Sequence, residues 1–434
     1  MVRRLDARAA DFAGAFDTLL SAKRETDEDV SAAVRAIIAD VRTRGDAALI
    51  DYSERFDKVQ LTAAALRLSS QDIAAAEGQC GREALSALDV AAKRIEDYHR
   101  RQLPPDTLYT DSIGAQLGWR WTALDSVGLY VPGGTASYPS SVLMNAIPAR
   151  VAGVKRVVMV TPASGGAINP LSIEAARRAG VSEIYRIGGA QAIAALAFGT
   201  QSVIPVDKIV GPGNAYVAAA KREVFGHVGI DSVAGPSEIL IIADGDNDPD
   251  WIAADLLSQA EHDASSQSIL ITDDSAFARK VEDAAARALA LLPRKEIAAK
   301  SWREYGAIIV VEKLEDAAPL ADRIAPEHLE IAVADPGAWL KRVRHAGAIF
   351  LGRHTPEAIG DYIAGPNHVL PTARTARFSS GLSVLDFLKR TTLLSCSPEA
   401  IATLGPDAIA LAEAEGLDAH ARSVAARLNA RPRG

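Results

Sequence analysis

Cysteine is scarce in this chain, since only two of its 434 residues, Cys80 and Cys396, carry a thiol. Two thiols cannot form a disulfide framework, and they are too few for a thiolate-rich zinc or iron–sulfur site. Neither cysteine lies in a sequence setting typical of a reactive thiol, which argues against chemistry through a thioester. The scarcity fits a reducing compartment, and we predict a cytoplasmic protein.

Long apolar runs and a basic excess are also missing. A membrane-spanning helix needs roughly 20 apolar residues, whereas the stretch over residues 187–198 is shorter and is followed by polar sequence. The charged N-terminus lacks the apolar core of a signal peptide. The formal charge of −8 arises from 55 acidic and 47 basic residues that are spread along the chain. We therefore predict no membrane contact, no export and no nucleic-acid partner.

The pattern of apolar residues indicates a helical start and then an α/β fold. Residues 1–120 carry apolar side chains at three- and four-residue spacing, which is typical of amphipathic helices. From Asp125 onward, short β-branched runs alternate with Gly- or Pro-bearing turns and Ala-rich helical segments. These runs begin at Val127, Arg156, Glu183, Asp207, Glu238, Ser268, Ala307 and Gly347. Such alternation predicts parallel sheets flanked by helices.

The same pattern predicts a first α/β domain over residues 121–235 and a second over residues 236–376. The two halves are alike in layout, although no residue-level repeat relates them. We expect the N-terminal region to pack on the second α/β domain. The polar, Ala-rich tail over residues 377–434 buries little by itself, and we expect it to pack on a partner subunit.

Three strand-to-helix turns in the first α/β domain are rich in glycine. They are Tyr130-Val-Pro-Gly-Gly134, Ile187-Gly-Gly-Ala-Gln191 and Val210-Gly-Pro-Gly-Asn214. Glycines at such turns let the backbone approach phosphates and point helix N-termini at them, which favours a dinucleotide site. Each turn alone is more typical of simple chain reversal, and none has the G-x-G-x-x-G or Walker pattern.

A second group of residues has the chemistry of metal ligands. Gln259 and His262 lie three residues apart on a predicted helix and therefore share a face. Asp361 and His420 are candidate partners, and together the four offer two oxygens and two nitrogens. That mixture suits zinc or another borderline divalent ion better than calcium or magnesium. A Gln-x-x-His pair alone is common without any function.

The adjacent pair Glu327-His328 is the strongest candidate for proton chemistry. It follows a proline, and in a loop both side chains can reach one pocket. His328 can accept a hydroxyl proton near neutral pH, and a Glu327 shielded from water can activate a water molecule. An isolated Glu-His pair is more often an exposed ionic contact. Ser237 and His368 are weaker candidates, since each is equally explained by a turn or by loop packing.

Taken together, long strings of this sequence resemble the histidinol dehydrogenase family over about residues 24–420. The matching strings occur in the family's order and begin at Tyr130, Gly188, Val210, Ala234, Gln259, Ala325 and Gly365. The resemblance implies two incomplete Rossmann-like, aldehyde-dehydrogenase-like domains, a helical N-terminal region and an extended C-terminal dimerisation tail. It implies NAD contacts at Tyr130, Gln191 and Asn214. It implies zinc ligands at Gln259, His262, Asp361 and, from the neighbouring subunit, His420.

The resemblance also implies substrate contacts at Ser237, His328, Glu415 and the metal-binding residues, within a homodimer that shares its active sites. The implied reaction is the four-electron oxidation of L-histidinol to L-histidine through bound L-histidinaldehyde with two NAD, the last step of histidine biosynthesis. His328 would accept the hydroxyl proton, and Glu327 would activate the water that attacks the aldehyde.

Three alternatives remain open at this stage. A family relative that oxidises another amino-alcohol or a sulfonate-bearing alcohol would carry nearly the same strings, although Glu415 and His420 favour histidinol. A metal-dependent hydrolase could use Glu327 to activate water, but the glycine-rich turns and the lack of an H-E-x-x-H helix speak against it. In a non-catalytic binding protein, Glu327 and His328 would be replaceable without loss of turnover.

Overall fold

A computed structural model of the protein describes residues 2–22, 30–133, 138–233 and 235–428. The strands are β1 (Arg3–Asp6), β2 (Thr107–Thr110), β3 (Gln116–Ala123), β4 (Ser126–Tyr130), β5 (Arg156–Val160), β6 (Glu183–Tyr185), β7 (Lys208–Val210), β8 (Gly229–Ile230), β9 (Glu238–Ala243), β10 (Gln267–Thr272), β11 (Ala307–Val310), β12 (His328–Ala332), β13 (Ala348–Leu351) and β14 (Leu388–Ser395).

The α-helices are α1 (Phe12–Ser21), α2 (Ser31–Arg44), α3 (Asp46–Tyr52), α4 (Ser70–Ala76), α5 (Arg82–Arg100), α6 (Pro139–Ala152), α7 (Pro170–Ala179), α8 (Gly189–Phe198), α9 (Ala215–Val224), α10 (Pro249–Ala260), α11 (Ser275–Leu289), α12 (Lys295–Glu304), α13 (Ala317–Ile324), α14 (Glu357–Tyr362), α15 (Pro398–Ala414) and α16 (Asp418–Leu428). None of these helices is long and apolar enough to cross a membrane. The chain forms two compact units, one of Met1–Gln102 with Asp125–Phe387 and one of Leu103–Leu124 with Leu388–Gly434.

The first unit contains two parallel sheets, which confirms the predicted α/β class. The first sheet has the strand order β6-β5-β4-β7-β8, and every pairing in it is parallel. Its strands are rich in apolar, β-branched residues because both faces are covered by helices. The chain leaves β4 on one side toward β5 and returns on the other side as β7. That reversal opens a crevice at the carboxyl ends of β4 and β7, where ligands of such sheets bind.

The second sheet repeats the arrangement of the first. Its order is β1-β11-β10-β9-β12-β13, again with parallel pairings throughout. Without β1, the five strands follow the same spatial order as the first sheet, namely third, second, first, fourth and fifth. The two α/β halves, which the sequence predicted to be alike in layout, therefore share the same strand topology. Residue 234, at the join between the sheets, lies outside the described residues.

The N-terminal region divides between the two sheets, whereas the sequence pattern predicted packing on the second α/β part. β1 pairs with β11, and Phe16 of α1 is buried in the core of the second sheet. By contrast, Val34 and Val41 of α2 are buried in the core of the first sheet, where α2 packs against α8 and α9. The strand β1 was not predicted because its sequence is charged and lacks alternating apolar residues.

The second unit combines an antiparallel sheet with two helices. Its strand order is β14-β3-β2, and α15 packs against α16. The sequence predicted helices over residues 1–120, so β2 and β3 are differences, and it predicted only helices after Arg377, so β14 is a further difference. It pairs with β3, which lies far away along the chain, and local patterns carry no information about such a partner. Leu394 and Leu411 are exposed in the single chain.

Candidate active site

A cavity of about 440 Å³ lies at the carboxyl ends of the first sheet. All three residues that the family resemblance implies as NAD contacts, namely Tyr130, Gln191 and Asn214, line it. Tyr130 ends β4, Gln191 lies in the first turn of α8, and Asn214 precedes α9. The cavity therefore sits where the strand order reverses. Gly134, the last residue of the first glycine-rich turn, lies outside the described residues.

The N-terminus of α8 is tied to β4 by a hydrogen bond. The backbone N–H of Gly189 donates to the hydroxyl of Tyr130 over 3.1 Å. Burial raises the pKa of Tyr130 to about 12, so the hydroxyl stays neutral. Gln191 is almost fully buried beside it. Free N–H groups at a helix start attract a phosphate, and the amide and hydroxyl add polar contacts for a nucleotide.

A buried ion pair stabilises the turn after β7. Lys221 donates to the carbonyl oxygen of Gly211 over 3.0 Å and pairs with Asp231. Asp231 in turn accepts from the N–H of Gly211 over 2.8 Å. Asn214 caps α9 by accepting from the N–H groups of Tyr216 and Val217. These contacts fix Asn214, which borders two cavities.

The second cavity, of about 320 Å³, lies at the amino ends of β9 and β12. It shares Pro132 and Asn214 with the first cavity, so the two adjoin. The predicted site residues that line it come from four separate parts of the sequence. They are Ser237, Gln259, His262, Glu327, His328 and Asp361. The second sheet thus offers its amino ends to the site, opposite to the usual carboxyl-end position.

Glu327 is bound reciprocally to Glu238, which starts β9. The N–H of Glu238 donates to Oε2 of Glu327 over 2.9 Å, and the N–H of Glu327 donates to Oε2 of Glu238 over 3.2 Å. Burial raises the pKa of Glu327 to about 7. Its carboxyl group can therefore hold or release a proton near neutral pH, as a general base requires.

His328 has a fixed orientation and one free nitrogen. Its Nδ1 lies 2.9 Å from the carbonyl oxygen of Glu238, and because a carbonyl only accepts, Nδ1 carries the proton. Its Nε2 is buried without a hydrogen-bond partner among the described residues and lies 3.6 Å from Oδ1 of Asp361. Burial alone would lower the pKa of His328, but Glu327, Asp361 and Glu357 outweigh it and raise the pKa to about 10.

The predicted metal ligands fit a borderline divalent ion. Oε1 of Gln259 is buried and makes no hydrogen bond within the described parts of the chain, which leaves a carbonyl oxygen free for a cation. Burial lowers the pKa of His262, so its imidazole is neutral, as a ligand must be. Burial would raise the pKa of Asp361, but His328 and His368 outweigh it and lower it to about 2. A carboxylate, a neutral imidazole and an amide oxygen suit zinc.

Glu357 is a site residue that the sequence interpretation missed. His328, Glu357 and Asp361 form a group whose potential ligand atoms all lie within 4.8 Å of one another. Glu357 accepts from the hydroxyl of Ser258 over 3.1 Å and is buried. Its spacing of four residues from Asp361 places both carboxylates on one face of α14, and that spacing was the available signal. Glu238, also missed, immediately follows the predicted Ser237.

The remaining predicted residues lie in the second compact unit. Glu415 follows α15 and His420 lies in α16, and both side chains are exposed in the single chain. Neither is among the residues that line the second cavity.

His368, weighed in the sequence as either a ligand contact or loop packing, does line this cavity. Its Nε2 lies 3.1 Å from Oγ of Ser141, and its Nδ1 lies 2.9 Å from the carbonyl oxygen of Asp361.

Comparisons with known proteins point to one family. The family model described as histidinol dehydrogenase matches residues 20–428. The chain is 65% identical over 429 residues to histidinol dehydrogenase of Rhizobium meliloti, covering 99% of each chain. It is 65% identical over 430 residues to that of Rhodospirillum rubrum, again covering 99% of each. The crystal structure of histidinol dehydrogenase from Elizabethkingia anophelis has a TM-score of 0.94 at 37% identity and covers 98% of both chains. The chain therefore belongs to the histidinol dehydrogenase family.

Proposed function

We propose that this protein oxidises L-histidinol to L-histidine in two steps, with two NAD and through bound L-histidinaldehyde. The observation that carries the proposal is the adjoining of the two cavities at Pro132 and Asn214. One has the glycine-rich turns and helix N-termini that suit a dinucleotide. The other holds Glu327 and His328 beside possible metal ligands. A substrate in the second cavity can thus face a nicotinamide that reaches across from the first.

In the first step, the carbinol carbon loses a hydride to NAD and its hydroxyl loses a proton. His328 is the group for that proton, because Nδ1 is held by the carbonyl oxygen of Glu238 and Nε2 has no hydrogen-bond partner among the described residues. The products are the aldehyde, one NADH and one proton. The aldehyde remains in the cavity.

In the second step, water adds to the aldehyde and the hydrate loses a second hydride. Glu327 is the group that activates this water, since burial raises its pKa to about 7. Its position is fixed by the two hydrogen bonds between backbone N–H groups and carboxylates that it exchanges with Glu238. His328 accepts the hydrate's hydroxyl proton as in the first step. The products are the carboxylate, a second NADH and two protons.

We propose that Zn²⁺ binds to Gln259, His262 and Asp361 of one chain and to His420 of a second copy of the chain. Bound Zn²⁺ would hold the imidazole and amine of the substrate, and its charge would offset Asp361 and so lower the pKa of His328 toward neutrality. Ser237 and Glu415 are proposed to complete the substrate contacts. The homodimer, the domain boundaries at residues 120, 235 and 376, and the cytoplasmic location stay predictions.

The proposal is tested by the stoichiometry of NADH. Limiting L-histidinol is added to the full-length protein with excess NAD, and absorbance at the NADH band is followed to completion. Two NADH per histidinol are expected, with L-histidine as the product by chromatography. No NADH would refute the proposal, and turnover of another amino-alcohol in place of histidinol would favour a relative with a different substrate. Adding a chelator should abolish turnover, and adding zinc should restore it.

A further inference from the structure

One wall of the first cavity comes from the N-terminal region rather than from the parallel sheet. Ile37 of α2 lies there, together with Phe56 and Asp57 from a single π-helical turn, Ser53–Asp57. The turn ends at Lys58, whose φ of 58° is left-handed and reverses the chain. Asp57 is the one carboxylate among the described residues that line this cavity.

One carboxylate oxygen of Asp57 lacks a hydrogen-bond donor among the described residues. Its Oδ2 is buried and makes no hydrogen bond to any part of the chain that the structure describes. Burial also raises the pKa of Asp57, because it disfavours the charged form. Buried acceptors are ordinarily paired, so an unpaired one on a cavity wall suits a donor that arrives with a ligand. Such a donor would stabilise the charged carboxylate.

The position of Asp57 indicates which part of a dinucleotide it meets. Hydride transfer has to take place next to the second cavity, which the first cavity adjoins at Pro132 and Asn214. Asp57 borders only the first cavity. The carboxylate therefore faces the adenosine half rather than the nicotinamide half.

Sheets with this strand order commonly bind the adenosine ribose through an acidic residue that follows the second strand. In this chain the second strand of the first sheet is β5, and it is followed by Thr161 and Pro162, with no carboxylate. Pro162 lines the cavity. The position that usually supplies the ribose acceptor therefore carries no carboxylate here, and Asp57 offers that group from a different element.

We infer that Asp57 accepts hydrogen bonds from the adenosine ribose hydroxyls and, by its negative charge, disfavours the 2′-phosphate of NADP. The inference deepens the proposed function and rests on it. A hydroxyl at the 2′ position donates to the carboxylate, whereas a phosphate there would place like charges together in a partly buried site. Asp57 is thus a specificity-determining residue for NAD.

Titration calorimetry on the full-length protein tests the inference without turnover. NAD, NADP and nicotinamide hypoxanthine dinucleotide are titrated into the wild type, Asp57→Asn and the control Glu54→Gln. Glu54 is exposed in the same turn and bonds only to Gln60 among the contacts seen, away from the cavity lining. Asp57→Asn should reduce the preference for NAD over NADP by roughly tenfold, as expected for loss of a charged hydrogen bond. Glu54→Gln should leave the preference unchanged.

An unchanged preference in Asp57→Asn would overturn the inference. The inference would also be overturned if the wild type bound the hypoxanthine analogue more weakly than NAD and this difference disappeared in Asp57→Asn. That result would place Asp57 at the adenine amino group. Asp57→Ser provides a second variant if the Asn variant fails to fold, and circular dichroism checks both. If neither NAD nor NADP binds the wild type, the proposed function itself fails, which is a distinguishable result.

Discussion

Glu327 and His328 are consecutive residues on which burial acts in opposite directions. Burial raises the pKa of Glu327 to about 7. It would lower that of His328, but three carboxylates outweigh it and raise the pKa to about 10. The two side chains meet different surroundings because β12 begins at His328, so that Glu327 lies before the strand and His328 within it. Their proposed roles can therefore be separated by substitution.

Glu327→Gln should impair oxidation of the aldehyde more than oxidation of the alcohol. The amide keeps the size of the side chain but cannot accept a proton from water. We expect aldehyde oxidation to fall by about a hundredfold or more, within the usual range for loss of a general base. Rapid-mixing measurements that start from L-histidinol and from L-histidinaldehyde separate the two half-reactions.

His328→Asn is the matched comparison for that experiment, because both half-reactions release a hydroxyl proton. It should slow the two half-reactions by similar factors. An equal slowing of both by Glu327→Gln would contradict the division of roles between the two residues.

The raised pKa of Glu327 also predicts that the rate of aldehyde oxidation depends on pH. The general base has to be ionised, and with a pKa of about 7 its ionised fraction rises with pH through neutrality. Aldehyde oxidation should therefore accelerate between about pH 6 and pH 8 and then level off, whereas a carboxyl at the ordinary value of about 4.3 would already be ionised there. A flat profile over this range would argue against Glu327. The half-reaction is measured at saturating aldehyde and NAD.

Gln259→Leu should remove the metal without harming the fold. Oε1 of Gln259 has no protein partner to lose within the described residues, so an apolar side chain of similar size should leave the metal-free protein as stable as before. Zinc content, measured by atomic absorption, should fall well below that of the wild type. Thermal unfolding with chelator should be unchanged.

Gln267→Leu is the control for Gln259→Leu. Gln267 is also buried, but its Nε2 donates to the carbonyl oxygen of Tyr305 over 3.2 Å. This variant should keep its zinc and lose about 1 kcal/mol of stability. Full zinc content in Gln259→Leu would exclude Gln259 as a ligand.

Among the elements, the turn after β7 depends on one glycine. Gly211 has a φ of 108°, and a Cβ there would lie 2.2 Å from the carbonyl oxygen of Tyr130. Gly226 has a similar φ of 99°, but a Cβ would meet nothing within 4 Å. Gly226→Ala should cost about 1–2 kcal/mol from backbone strain alone. Gly211→Ala should cost clearly more and should weaken NAD binding, since it shifts the turn that holds Asn214.

Thermal unfolding and calorimetric NAD titration of both variants measure these effects. Equal losses of stability in the two variants would show that the close approach to Tyr130 does not constrain the turn. Retention of wild-type NAD affinity in Gly211→Ala would separate the turn from the cofactor site.

The elements that could be predicted from sequence are those with a local signal. The runs at Val127 and Arg156 correspond to β4 and β5, because a parallel sheet covered on both faces demands consecutive β-branched residues. The strands β1, β2, β3, β8 and β14 were missed, since edge and antiparallel strands here owe their pairing to distant partners. β12 was also missed, and Glu327-His328 was interpreted as a loop, because His328 and Glu330 interrupt its apolar run. The site shows the same limit. The family strings contain Glu327, Gln259 and Glu238, but the contact of Glu238 with Glu327 is visible only in the fold. Glu357 reaches His328, and Asp57 reaches the first cavity, only through tertiary packing.

For the whole molecule, the proposed sharing of active sites between two chains has a direct test. His328→Asn and His420→Asn should each be inactive alone. If each site takes His328 from one chain and His420 from the other, a mixed dimer has one intact site. Unfolding and refolding an equal mixture should then restore roughly a quarter of wild-type turnover, because half of the randomly formed dimers are mixed.

No restoration, with mixed dimers shown to form by native mass spectrometry, would place the whole site within one chain. A mixture of His328→Asn with Glu327→Gln is the matched control. Both residues lie in the same cavity of one chain, so in a mixed dimer each site still carries one lesion. That mixture should form L-histidine no faster than the two variants do on their own.

The common border of the two cavities at Pro132 and Asn214 also matters for inhibitor design. A compound with an imidazole head for the second cavity and an aromatic group for the first has to cross this border through a short linker. Once one end is bound, the other binds at a high effective concentration, so the combined affinity exceeds that of either fragment. A linker that avoids displacing Asn214 leaves α9 and its cap intact. Fragments for each cavity can therefore be optimised separately and then joined across this border.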